Sequence, residues 1–418
     1  MRTFFELLPH RIARALHSRT WSIVRTRLGR ISSAQRRQAG EKAPSQRPRL
    51  YIDLAVISQN DAGTGIQRVV RALALALLEA PGRWDVRIVS ARRKRSYHHI
   101  AWPMPDPTIA PQDMRARPGD VFLGLDYSLD AIRRHRRQLA RFRRDGGRLW
   151  FLVHDLLPLN RPEWFSQNTI LRYRAWIAIL SRVADGFLCN SRQTDDDLRE
   201  ALTRFHGLST GYRTQILPMG YVLADGGGTN DTTRPTHARF DMSTPFALMV
   251  GTLEPRKGHE DVLHAYDVLW REGHSGRLVL VGRLGWQVDA LREEILNHPE
   301  YGRKLFWFND VDDPELVQIY DACTGMIIAS HAEGFGLPLI EALGRGKPVL
   351  ARDLPIFRIH EGNGIRFFPA SATPEALAVA VRHWIDEAQA GLIAVSRPES
   401  DWGDAARLLL QALEPCAA

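Results

Sequence analysis

The stretch GMIIASHAEGFGLPLIEALGRGKPVL, Gly325 to Leu350, reads as strand, loop, helix and the start of another strand. Met326, Ile327 and Ile328 form an unbroken apolar run, as buried parallel strands do. Pro338 suits a first helical turn, and Gly344 or Gly346 suits its end. Glu333, Gly334 and Gly336 therefore fall in a strand-to-helix loop. In a doubly wound sheet, ligands collect at that carboxyl edge. Glycines let backbone N–H groups approach a ligand closely, and the helix N-terminus adds positive partial charge suited to a phosphate. Glu341, one turn into the helix, is the wrong charge for a phosphate, but a carboxylate accepts hydrogen bonds from ribose or hexose hydroxyls. One acid on each side of a diphosphate would contribute roughly 1.5–3 kcal/mol per charge-assisted bond. Taken alone, the pair is also what an unrelated loop acid and helix acid produce.

The same alternation extends in both directions. Apolar runs at 50–57, 86–90, 121–126, 149–153, 186–190 and 215–218 predict one set of strands. Runs at 246–251, 278–282, 305–308, 325–329, 348–351 and 365–368 predict a second. Helical patterns such as GIQRVVRALALALLEA fall between most of them. The segment 224–245, rich in Gly, Thr and Pro, separates the two sets. The expected architecture is α/β, with two Rossmann-like domains facing across a cleft. Its parts are a basic extension at 1–48, an N-terminal domain at 49–223, the linker at 224–245, a C-terminal domain at 246–395 and a final helical segment at 396–418.

Composition narrows the function class. Three cysteines, Cys189, Cys323 and Cys416, without a CxxC motif, suit a reducing compartment and argue against a disulfide framework or a thiolate metal site. No apolar run approaches the roughly 18–20 residues that span a bilayer, and no secretory h-region with a cleavage site is present. A cytoplasmic location is expected. Residues 1–50 hold 12 Lys/Arg against 2 Glu, and residues 51–150 hold 18 basic against 10 acidic. The total is only +9, so the basic surplus belongs to the N-terminal third. Such a surface attracts phosphates of lipid, nucleic acid or a lipid diphosphate. In the extension, Phe5, Leu8, Ile12 and Leu16, then Val24, Leu28 and Ile31, fall at helical spacing, interrupted by Pro9. A membrane-surface amphipathic helix, a transit peptide and a solvated tail all fit it. AIRRHRRQLARFRR, residues 131–144, carries seven arginines: a solvated face, or a basic face for anionic lipid headgroups.

A second chemistry-bearing segment, FALMVGTLEPRKGHEDVLHAY (246–266), is strand, turn and helix, with Arg256 and Lys257 at the turn. Two cations at a strand's carboxyl edge are placed for a diphosphate. The RKG turn, LVGRLGW (280–286), VDDPELVQIYDAC (311–323) and HAEGFGLPLIEAL (331–343) follow in that order. Together they resemble the family-4 retaining glycosyltransferases of the GT-B fold, over about residues 50–414 and most strongly over 246–352. The GTLEPRKG and VHDLLPL variants look most like bacterial polysaccharide mannosyltransferases, which implies GDP-mannose as first donor and a glycan or lipid-linked acceptor.

The resemblance implies that Lys257, with Arg256, neutralises the donor diphosphate. It implies that Glu333 contacts the transferred sugar, that Gly334, Phe335, Gly336 and Leu337 lie along the sugar and phosphates, and that Glu341 grips the ribose. Thr252 stands where the family commonly has Arg after the turn glycine. His154, ending the strand RLWFLVH, looks like the family's active-site histidine. Gly63, Thr64 and Gly65 resemble its glycine-rich loop near phosphates and acceptor, although position 68 is Arg and the dinucleotide fingerprint fails. Asn190 and Ser191 end another strand, where Ser191 also suits a helix cap. Asp195 and Asp197 spell DxD, but acids at a helix start complement its dipole. With two cations at the diphosphate, neither a metal nor any other cofactor is expected, and the nucleotide sugar is a co-substrate. Two other readings are a nucleotide-sugar epimerase of the same fold and a nucleic-acid-binding protein. Nucleic acid is not expected as a partner, because only Phe142 interleaves the arginines of 131–144.

Overall fold

The structure, a computed structural model, describes residues 47–106, 111–220 and 240–415. The basic extension up to residue 46, Cys416 and linker residues 224–239 lie outside the described residues. Among those described, strands are β1 (Arg49–Asp53), β2 (Asp85–Arg92), β3 (Arg95–His99), β4 (Val121–Gly124), β5 (Arg148–Val153), β6 (Gly186–Cys189) and β7 (Arg213–Ile216). They form one seven-stranded sheet in the order β3-β2-β1-β4-β5-β6-β7. Every pairing is parallel except β2 with β3. The sequence pattern did not predict β3. Its charged RSYHH carries no apolar run, and an edge strand needs none because one side is left to solvent. The first strand also stops earlier than 57: Asp53 turns its carboxylate back onto the Ala55 N–H at 2.9 Å, and the chain leaves the sheet.

The second sheet comprises β8 (Phe246–Val250), β9 (Arg277–Val281), β10 (Leu305–Phe308), β11 (Gly325–Ile328), β12 (Val349–Arg352) and β13 (Ile365–Phe368). Its order is β10-β9-β8-β11-β12-β13, all parallel. Alternate residues feed two cores. Ala247, Met249, Leu278, Leu280 and Ile327 join one, while Phe246, Leu248, Val279, Val281 and Met326 join the other. Both faces are therefore covered, as continuous apolar strands require.

Two units result. The first holds the chain to Leu159, Gln167–Leu217 and the stretch from Ala406; the second holds Asn160–Ser166 and Pro218–Ala405. This differs from a boundary drawn at one linker. Asn160–Ser166 groups with the second unit because the Trp286 Nε1 donates to the Trp164 carbonyl at 2.5 Å and Phe165 packs on Trp286. The last helix, Trp402–Ala412, carries the chain's end to the first unit. There Arg148 reaches the Leu413 carbonyl at 2.5 Å and Arg213 that of Glu414 at 2.8 Å. Cys189 and Cys323 are buried free thiols, and no helix among the described residues is long and apolar enough to cross a membrane.

Candidate active site

In the second sheet, β8 pairs with β9 on one side and β11 on the other, so the strand order reverses between β8 and β11. The crevice beyond the carboxyl ends of such a pair is where open α/β sheets bind ligands. From β8 the chain passes through a 3-10 turn, Pro255–Lys257, to Gly258 and the helix His259–Arg271. Gly258 sits at φ 69°, and a Cβ there would run into the Ala329 carbonyl just past β11. Only glycine lets these two loops close on each other. The His331 N–H then donates to the Arg256 carbonyl at 2.7 Å, a backbone stitch between the loops. Gly336, at φ 89°, starts the helix Leu337–Gly344, where a Cβ would meet the Phe357 ring at 2.6 Å.

That closure brings three of the expected residues together. The Lys257 Nζ donates to Glu333 Oε1 at 2.5 Å, and Arg256 Nη1 to Glu333 Oε2 at 3.2 Å. Ser330 adds its hydroxyl to Oε1 at 2.7 Å, and Arg256 Nε also reaches Glu254 at 3.0 Å. The Glu333 side chain is 9% exposed. Burial alone would push its carboxyl up, but the two cations and the hydrogen bonds outweigh it and hold the group at about 2. Glu333 is thus a desolvated, ionised carboxylate held at a strand terminus. Ser330 escaped the sequence reading, although it lies three residues before Glu333.

The other residues expected on the donor side lie in the same unit. Glu341 is buried, and the Tyr320 hydroxyl donates to it at 2.8 Å. Tyr320 belongs to the VDDPELVQIYDAC segment but was not singled out. Phe335 packs on the core beneath the loop. Thr252 is half-buried where the loops after β8 and β9 meet, and the next N–H, Leu253, donates to the Arg283 carbonyl at 2.9 Å. Arg352, 2% exposed at the end of β12, was also missed. It donates to the Ala329 carbonyl at 2.9 Å, pairs with Asp261 and so braces the loop that carries Glu333. A charged residue ending an apolar strand was the available signal.

In the first unit, His154 follows β5 and is 6% exposed. Its Nε2 donates to the Leu125 carbonyl at 3.3 Å, and burial drops its pKa to about 4. The imidazole is neutral at physiological pH. Asn190, past β6, donates to the His154 carbonyl at 2.7 Å, while its own Oδ1 is buried without a partner. Ser191 is the N-cap of the helix Arg192–His206, accepting from the Thr194 N–H at 3.1 Å. Asp195 lies in that helix's first turn and pairs with Arg199 at 2.9 Å, and Asp197 accepts from Gln193 at 2.9 Å.

The glycine loop opens the helix Gly65–Glu79. Gly63 is at φ 65°, Thr64 is the N-cap, and Gly63, Thr64 and Gly65 are all exposed. Buried Gln67 organises the loop by accepting from the Ala62 N–H at 2.8 Å and donating to the Asn60 carbonyl at 2.8 Å. Two buried acids, Asp53 closing β1 and Asp126 after β4, occupy this sheet's own reversal point. Burial first, then the neighbouring Asp126 charge, raises Asp53 to about 7. Tyr97 and Ser128 hydroxyls donate to it at 2.9 and 2.5 Å. Asp126 clamps the loop after β1 through the Val56 and Ile57 N–H groups at 2.5 and 2.9 Å. Sequence reading missed both, since an acid closing a strand looks like any loop acid.

Comparison with known proteins bears on this geometry. The family described as Glycosyl transferases group 1 matches residues 232–407. The serotype-specific mannosyltransferase WbdA of Escherichia coli is 33% identical over 81% of this chain and 41% of its own. The chain therefore spans about two fifths of the length of the curated relatives it matches most extensively. Among solved structures, sucrose-phosphate synthase from Thermosynechococcus elongatus superposes with a TM-score of 0.55 at 18% identity, covering 88% of this chain and 94% of that one. WaaG, a glycosyltransferase involved in lipopolysaccharide biosynthesis, gives 0.54 at 15% identity over 86% and 94%. At such identities the likeness establishes the fold.

Proposed function

Because the chain carries a glycosyl transferases group 1 domain on a fold of the GT-B type, we propose that it is a retaining, metal-independent glycosyltransferase. It moves a hexosyl group, mannosyl from GDP-mannose first, to a hydroxyl of a glycan or lipid-linked acceptor in surface-polysaccharide assembly. The mannosyl assignment follows WbdA, a serotype-specific mannosyltransferase.

The observation that carries the proposal is the Glu333–Lys257–Arg256 cluster at the reversal between β8 and β11. Lys257 and Arg256 face the donor diphosphate and stabilise its growing charge as it leaves. That pair supplies the positive charge a metal would otherwise bring. Glu333, ionised throughout the physiological range, accepts from hydroxyls of the transferred sugar. Glu341, oriented by Tyr320, takes the ribose. His154, neutral, serves as a hydrogen-bonding group for the reacting sugar. In the step itself, the bond from the anomeric carbon to the phosphate oxygen breaks. The bond to the acceptor oxygen forms on the same face, and the acceptor proton passes to the leaving diphosphate.

An anionic membrane surface is proposed as the place of work. On the helix Leu129–Arg144, which kinks at His135, Arg137, Arg141 and Arg144 recur at one-turn spacing, and Arg134 stands just before the kink. All four are exposed, and none pairs with an acid among the described residues. The deciding experiment incubates purified protein with individual nucleotide sugars and a mannose-terminated acceptor, then reads the product's anomeric configuration by NMR. Mannosyl transfer with retention, abolished by Glu333→Ala, is expected. Inversion, transfer that survives Glu333→Ala, or sugar rearrangement without an acceptor would each refute the proposal.

A further inference from the structure

The first unit contains a cavity of about 570 Å³ that the transfer site does not use. Arg47, Arg49, Trp84, Asp85, Arg87 and Arg117 are among the residues that line it. These residues lie at the amino edge of the sheet: Arg49 opens β1, Asp85–Arg87 open β2, and Arg117 precedes β4. Asp53 closes β1 at the opposite, carboxyl edge, roughly 13 Å away along that strand at about 3.3 Å per residue, and His154 follows the end of β5 at the same edge.

The charge there is one-sided. Four arginines face one lining acid, Asp85, which is already paired with Arg87 at 2.8 Å. A second acid, Asp120, is 2% exposed. Its two carboxylate oxygens accept the backbone N–H groups of Arg49 and Arg117, each at 2.9 Å. It thereby pins two of the arginines to the rim. The Arg49 guanidinium is steadied further by donating to the Tyr51 hydroxyl at 3.1 Å. Arg47 and Arg87 are exposed, and Arg47 pairs with no acid among the described residues. Trp84, also in the lining and 2% exposed, carries an indole N–H that is buried without a partner. Guanidinium forks held by a fixed frame match the oxygens of a phosphate in charge and geometry.

We propose that this amino-edge cavity is an anion site that takes a phosphate-bearing group, separate from the donor site. Its occupant is either a soluble phosphate species or the phosphate of an anionic lipid headgroup. The chemistry is the same for both, so the experiment separates them. Sodium pyrophosphate is titrated calorimetrically into the full chain carrying Lys257→Ala, which silences the donor edge. The titration is repeated after adding Arg87→Ala and Arg117→Ala. Flotation with phosphatidylglycerol vesicles is run on the same proteins.

Pyrophosphate should bind the Lys257→Ala protein, and each arginine removed should weaken it by about tenfold, the worth of one charge-assisted hydrogen bond. Asp85→Asn, which removes the competing carboxylate, should tighten binding several-fold. That gain guards against misreading a merely unfolded arginine variant. Lost pyrophosphate binding with unchanged flotation assigns a soluble phosphate, whereas flotation that falls as well assigns the headgroup. If neither pyrophosphate binding nor flotation responds to Arg87, Arg117 or Asp85, the proposal is wrong. Failure of the donor-edge assignment would show separately, as pyrophosphate binding by the otherwise unaltered chain that ignores Lys257→Ala.

Discussion

Replacing Lys257 by Met keeps the side-chain volume but removes the charge that touches Glu333 at 2.5 Å. The Glu333 carboxyl sits at about 2 instead of its ordinary 4.5, even though burial pushes it the other way. By linkage this is worth on the order of 3 kcal/mol of folding free energy. The sign follows from the direction. A carboxyl depressed in the folded state contributes fully above about pH 4.5, and the contribution is lost as pH falls toward 2. Lys257→Met leaves a buried carboxylate with only Arg256, at 3.2 Å, as a direct cation. Breaking a buried pair from one side typically costs about 3–5 kcal/mol, and the second cation puts the expectation near the lower end. Urea unfolding at pH 7, followed through the transition of the second unit, measures it. Between about pH 4.5 and 2 the variant should lose less stability than the parent, because without Lys257 the carboxyl is held down less. Glu333→Gln in the Lys257→Met background should recover part of the loss, because the uncompensated charge is gone. A cost below about 1 kcal/mol, with no rescue by Glu333→Gln, would mean that the pair is solvated like an ordinary surface salt bridge. The physical basis of the site would then be mistaken.

The same geometry sets other outcomes. Gly258→Ala should lower the melting temperature by several degrees and abolish transfer, because its Cβ meets the Ala329 carbonyl. Gly346→Ala, at a similar φ of 70° in open space, should cost only about 1–2 kcal/mol and is the control. The His154 ring should stay neutral in an NMR titration until pH approaches 4. Because its pKa is depressed on folding, that residue's share of stability should be present above about pH 6.5 and decline in acid. Changing Arg134, Arg137, Arg141 and Arg144 to Gln should reduce partitioning onto anionic vesicles by roughly a thousandfold in total, at about 1 kcal/mol per residue near the surface. The parent's partitioning should weaken as salt rises, and salt-independent binding would contradict an electrostatic face.

Much of this protein was readable locally. Strand positions in the second sheet followed from apolar runs because both faces of a parallel sheet are buried, leaving no polar alternation to confuse them. The glycines of HAEGFG and the cations of EPRKG marked the carboxyl edge of that sheet for the same local reason: each group lies in a loop between strand and helix. What stayed hidden was residues whose role depends on distant partners. Asp53 and Asp126 are 73 positions apart, and each alone is an unremarked acid at a strand end. Tyr320 matters only because Glu341 lies within 2.8 Å of its hydroxyl. The charged edge strand β3 pairs through its backbone, which side-chain pattern does not report.

From the chain's order of residues alone came two runs of alternating strand and helix, their carboxyl-edge loops, and the residue types placed there. Those properties depend on neighbours a few positions away, and short-range periodicity records them. Tertiary structure decided which cation meets which carboxylate. Glu333 is claimed by Lys257 and Arg256 from 76 and 77 positions away, and Thr252 instead lies against the loop bearing Arg283. It also decided that four arginines from three separate segments share one cavity at the amino edge of the first sheet. Electrostatic energies depend on distance and burial in space, and neither quantity exists until the sheets have formed.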